Sequence, residues 1–297
     1  MKATLSEESA SKENDLFQVI WTVVAAFGTY FCMYGFRKPF TAASYSEIYF
    51  FGFDYKTLLV SGQVFGYMLS KFIGIKFISE MPYHGRALVI IGLIIFSHLA
   101  LLCFALVPVP WNCLMLFFNG IPLGMVFGLV MGFLEGRRYT EALLGFFCAS
   151  FILADGFCKS VGSFMLEKGV SEHWMPFVSG LIFIGPLFVF VWMLSKVPQP
   201  KDSDILARSK RTPMNGEDRK RFFSKYAIGL SLIILVYLFV TILRSMRADY
   251  APEIWKGLGY DTKPDKFIIS ELWVTLGIVI SSSVMILVKN NTSAFYL

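Results

Sequence analysis

Residues 30–45 read YFCMYGFRKPFTAASY. An apolar run reaches Phe36 and meets Arg37, Lys38 and Pro39. The run starts at Leu16, so 21 residues precede the arginine. At ~1.5 Å per residue that is enough helix to cross a hydrocarbon core of ~30 Å. Two readings of the charges follow. They mark a helix end at a water interface, or they belong to a ligand site inside a helix bundle. Lys38 fits the first reading, as a residue meeting water. Arg37 fits either.

The rest of the chain decides the class. Of 297 residues 56% are hydrophobic and 16% are charged, against ~25% charged in a soluble globular domain. Mean hydropathy is +0.60. These values specify an all-α polytopic membrane protein. The net charge of +6 then belongs to cytoplasmic loops, and nucleic acid is not an expected partner. The polar start, MKATLSEESASKEND, has no basic region followed by a short apolar core, so it does not read as a signal peptide.

Eight segments are long and apolar enough to span: 16–36, 58–78, 87–107, 112–134, 142–165, 174–194, 223–243 and 268–288. Residues 37–57 could extend the first helix before the chain turns. With the N-terminus inside, the cytoplasmic pieces hold fifteen Lys and Arg and the outer loops eight. That bias sets the orientation. The divisions are a cytoplasmic tail (1–15), a six-helix half (16–195), a basic cytoplasmic linker (196–222) and an incomplete second half of two helices (223–297). A plasma or inner membrane is the expected location. Gly120, Gly124, Gly128 and Gly132 form an i+4 ladder, and Gly62, Gly66, Ser70 and Gly74 form another. Such faces let helix backbones approach closely.

Charges within the spans need a reason, since a central Lys, Arg or Asp costs at least ~2.5–3.5 kcal/mol on insertion. Lys71 lies in the second span. Asp155 and Lys159 lie in the fifth, four apart and on one face. They form either a self-neutralising pair or a site in which Asp155 orients Lys159 towards an anion. Arg244 follows 21 residues of the seventh span, as Arg37 follows 21 of the first. If the two segments are equivalent helices of a repeated half, the two guanidiniums oppose each other across a cavity and match a dianion. Tyr30 and Tyr34 share the helix face of Arg37. The cysteines (32, 103, 113, 148 and 158) and histidines (84, 98 and 173) have no metal-ligand spacing. No metal or cofactor is expected. No ATP-binding loop or hydrolase motif is present, so an enzyme is not expected.

Six spans, a basic linker and two more resemble the major facilitator superfamily. Three stretches are similar to its organophosphate:phosphate antiporters, the glycerol-3-phosphate and hexose-phosphate transporters. YFCMYGFRKPF (30–40) resembles their tyrosine-rich helix ending in Arg-Lys-x-Phe. SGQVFGYMLSKFI (61–73) resembles their Tyr-x-x-Ser-Lys-Phe run, and LRSMRADYAP (243–252) their Leu-Arg segment with Asp, an aromatic and Pro. The resemblance implies that Arg37 and Arg244 bind phosphate, that Lys71 adds cavity charge, and that Tyr30 and Tyr34 shape the site. It places Lys159 where the family has histidine, and Asp249 and Glu271 as supporting acids. The sequence departs from the family in the loop SEMPYHGR (79–86), at Pro39 and at Lys159. A twelve-helix member would need four spans beyond KNNTSAFYL (289–297).

The expected function is secondary transport of a small organic anion, an organophosphate exchanged for inorganic phosphate by alternating access. Two alternatives stay open. One is a transporter-like sensor of phosphorylated ligands. The other is a truncated, inactive product, or one completed by a second chain. The expected partners are the anionic substrate and the lipid bilayer.

Overall fold

In the computed structural model the described residues are 2–45, 49–50, 52–79, 81–135, 140–199, 216–260 and 263–287. Most are helical. The long helices are α1 (Lys2–Tyr34), α2 (Tyr55–Ser79), α3 (Arg86–Leu106), α4 (Cys113–Leu134), α5 (Thr140–Glu167), α6 (Met175–Ser195), α7 (Gly216–Asp249) and, after the short α8 (Ala251–Gly257), α9 (Pro264–Leu287). The only sheet among the described residues is a two-stranded hairpin, Tyr49–Phe50 with Phe53–Asp54.

Among the described residues six helices are long and apolar enough to cross a membrane, which makes the chain an integral, multi-pass, all-α membrane protein. Helices α2 and α9 are 25 and 24 residues long but fall outside that apolar set. Each carries polar groups that the fold buries, including Gln63 and Ser70 on α2 and Glu271 and Thr275 on α9.

The structure refines three boundaries of the sequence reading. Helix α1 runs from Lys2, so the polar start is helical and continuous with the first span. Residues 37–57 do not extend the first helix: α1 stops at Tyr34, and a 3-10 turn follows at Pro39–Ala42. Pro39 sits in the first turn of that 3-10 segment, where a residue without an N–H is tolerated. The third change is at the linker, where α7 begins at Gly216, earlier than the expected span at 223. The rest of the linker (200–215) and the end of the chain, with Lys289, lie outside the described residues.

Both small-residue ladders are used in one contact. A Cβ on Gly66 would overlap the Phe117 carbonyl, and one on Gly120 the Gln63 carbonyl. A Cβ on Gly124 would overlap the Ser70 hydroxyl. Helices α2 and α4 therefore pack backbone against backbone, where apolar area alone gives little drive in lipid. Helix α1 packs on α5 and α6, and the Trp21 indole donates to the Met193 carbonyl at 2.9 Å.

Helix α9 lies along α5, with Gly156 facing the Phe267 carbonyl and the Glu271 side chain. Helix α7 differs. None of residues 220–248 is buried, and burial begins at Asp249. Its apolar surface faces outward, and it meets the body at its C-terminal end.

Candidate functional site

The turn after α1 is buried, not wet. Phe36 and Phe40 are each 1% exposed and Lys38 is 7%. Lys38 is therefore not an interface anchor. The other ends of the helices close over it: its ammonium donates to Asp249 at the end of α7 and lies 3.4 Å from Asp155 on α5. Lys159 donates to the other Asp155 oxygen. Two lysines thus share Asp155, and Lys38 bridges it to Asp249. A buried charge is tolerated when paired this way. Burial works against the Lys38 ammonium, but Asp249 and Asp155 outweigh it and hold its pKa above the usual lysine value.

Beside this cluster is a small pocket of about 50 Å³. Tyr34, Arg37 and Lys38 line it from the end of α1, Phe151 and Asp155 from α5, Arg244, Arg247 and Asp249 from α7, and Glu271 from α9. The two arginines singled out from the sequence therefore share one cavity wall. Neither has a carboxylate partner among the described residues. The Arg37 guanidinium sits over the Tyr67 ring at 4.2 Å and the Tyr34 ring at 5.5 Å, and its Nη1 approaches the Tyr34 hydroxyl at 3.5 Å. Its Nε has no hydrogen-bond partner among the described residues. Arg244 sits over the Phe151 ring at 5.2 Å. These are cation–π contacts, which attract a guanidinium without neutralising it.

The other candidates divide. Tyr34, Asp155, Asp249 and Glu271 line the cavity. Lys159 is 2% exposed and reaches the site only through Asp155. Tyr30 lies behind Tyr34, with ring centroids 5.6 Å apart, packed among Phe127, Phe147 and Phe151. Lys71 is exposed on α2 and lies 5.0 Å from the Tyr67 ring, which Arg37 also contacts. It does not line the cavity.

Three participants escaped the sequence reading. Arg247 donates to Glu271 at 2.9 Å. Its position three residues after Arg244, on the same face of α7, was the available signal. Tyr67 was inside a quoted motif, yet nothing in its spacing showed two cations on its ring. Lys56 is the third. It is 1% exposed and donates to the Thr41 carbonyl at 2.9 Å and to Glu253 at 2.6 Å. With the Thr57–Tyr250 hydroxyl contact at 3.0 Å, it ties the start of α2 to the α7–α8 corner.

The charge balance follows. Asp155 holds Lys38 and Lys159, Asp249 holds Lys38, and Glu271 holds Arg247. Arg37 and Arg244 are left over. The arrangement can accept an anion of about two charges between two planar, bidentate donors. Among the described residues no cluster of His, Cys, Asp and Glu could hold a metal ion.

A family model described as a family of unknown function, DUF5690, matches residues 39–297. The match begins two residues after Arg37 and runs through α2–α9. No curated protein and no solved structure matches the chain.

Proposed function

The chain belongs to the DUF5690 family, and we propose that it is a secondary transporter of a small organic anion, a phosphate ester exchanged for inorganic phosphate. The observation that carries this is the pair Arg37 and Arg244, two guanidiniums on one cavity without carboxylate partners among the described residues. A phosphate dianion supplies the missing charge, and each guanidinium fork offers it two parallel donors. The reading takes the eight long helices as eight spans of a major-facilitator-type fold, with the N-terminus cytoplasmic.

Alternating access follows from the ties at one end of the site. Lys38–Asp249, Lys56–Glu253 and Thr57–Tyr250 all join the first part of the chain to residues 249–253. In this proposal they close the outer end. Substrate entering from the cytoplasmic end draws α1 and α7 onto itself through Arg37 and Arg244. The ties and the bound anion then compete for the position of the α7 end, and the ligand shifts the population by its differential affinity for the two states.

A thermal-shift titration of the purified chain tests the site, with inorganic phosphate, glycerol 3-phosphate and succinate at matched ionic strength. Phosphate and the ester should raise the melting temperature, and succinate should not. No response to either phosphate compound would rule the site out. Exchange of labelled phosphate in proteoliposomes then separates transport from sensing. Binding without flux would leave a phosphate sensor.

A further inference from the structure

We propose that Gln63 and Asn119 are positioning residues for Arg37, holding its backbone so that its guanidinium meets the anion in register. The inference rests on the anion-binding reading above.

Helix α1 ends at Tyr34, and the amides of Phe36, Arg37 and Lys38 turn back onto Met33 and Tyr34. The carbonyls of Phe36 and Arg37 then point past the helix end without a helical donor. Phe36 is buried and Arg37 half-buried, so each carbonyl gains from a side-chain donor. Asn119 on α4 donates from Nδ2 to the Phe36 carbonyl at 3.1 Å. Gln63 on α2 donates from Nε2 to the Arg37 carbonyl at 3.1 Å and to Asn119 Oδ1 at 2.8 Å. The Asn119 amide is itself fixed from α3, where Ser97 Oγ lies 2.7 Å away. Gln63 is 4% exposed, and Asn119 and Ser97 are 0%.

Two carboxamides buried among membrane helices thus cap consecutive carbonyls, at the residue whose side chain lines the cavity. Among the described residues no carboxylate forms a salt bridge with that side chain, and its close contacts are aromatic rings and one long hydroxyl contact. The backbone position of Arg37 therefore sets where its fork points. The helix contact supports the same register. A Cβ on Gly120 would strike the Gln63 carbonyl, so glycine lets α4 bring Asn119 beside Gln63. A displacement of ~1 Å is enough to spoil bidentate geometry.

The test uses the purified full chain, with inorganic phosphate as probe. Gln63→Met keeps the side-chain length and removes the donor to the Arg37 carbonyl. It should raise the Kd for phosphate about tenfold. In an Arg37→Ala background the same change should add less than about twofold, because residues acting as one unit are not additive. A generic loss of stability would weaken binding equally in both backgrounds. If Gln63→Met does not purify as a monodisperse protein, Ser97→Ala removes one partner of the Asn119 amide and no carbonyl cap. It should raise the Kd about threefold. A phosphate response equal to wild type in the variant, or full additivity with Arg37→Ala, overturns the positioning role alone. A wild type with no phosphate response overturns the anion-binding reading and this role with it.

Discussion

Lys38 and Asp249 are 211 positions apart and hydrogen-bonded in the protein interior. The contact joins the turn after α1 to the last residue of α7, a helix in which none of residues 220–248 is buried. Asp249→Asn keeps the shape and removes the charge. Lys38 would still have Asp155 at 3.4 Å, so the loss should be about 1–3 kcal/mol, below that of a fully stranded buried charge. Denaturant titration in detergent measures it. The double variant Lys38→Met with Asp249→Leu should recover part of the loss, because it removes both desolvated charges.

The same lysine gives a pH dependence. Its folded pKa is raised, so the folded state holds its proton more tightly than the unfolded chain does. The stability it contributes is fully present below the unfolded value of ~10.4. It is lost as pH rises through the folded value. Melting temperature should fall more steeply above about pH 10.4 in the wild type than in Lys38→Met. Equal slopes would count against the buried pair.

Arg37 and Arg244 should respond differently to charge and to shape. Arg37→Lys and Arg244→Lys each keep a positive charge but replace a planar fork with a point charge. Each should weaken phosphate binding about 10–100-fold, read by calorimetry, while the melting temperature without ligand changes little. Unchanged affinity in either variant would remove that residue from the site.

The α2–α4 contact predicts a contrast between two glycines. Gly120→Ala places a methyl group against the Gln63 carbonyl, whereas Gly92→Ala on α3 meets nothing within 4 Å. The first should destabilise by about 1–3 kcal/mol through overpacking. The second should be neutral or stabilise by up to ~1 kcal/mol. Thermal denaturation of both in the same detergent checks the sign.

Much of the architecture was legible because it follows from local composition. Long apolar segments separated by charges and prolines can only be helices in lipid. The glycine ladders announced close packing, since their i+4 spacing is a property of a single helix. Lys38 was not legible. Its neighbours in sequence are those of a helix meeting water, and both its carboxylate partners lie more than a hundred residues away. Lys71 was legible only as a lysine inside an apolar span; that it is exposed on α2, beside the Tyr67 ring and outside the cavity lining, came from the fold. The place of Arg247 was half-legible through its spacing from Arg244.

The sequence by itself determined the membrane class, the helices and the residue types able to hold an anion. Hydropathy and helical periodicity are local and survive any tertiary arrangement. Only the tertiary structure decided which cations are neutralised. Among the described residues Lys38, Lys159 and Arg247 are each matched by a carboxylate, and Arg37 and Arg244 are not. That distinction depends on distances of a few ångströms between α1, α5, α7 and α9, and Coulomb pairing in a low-dielectric interior is set by distance, not by order along the chain.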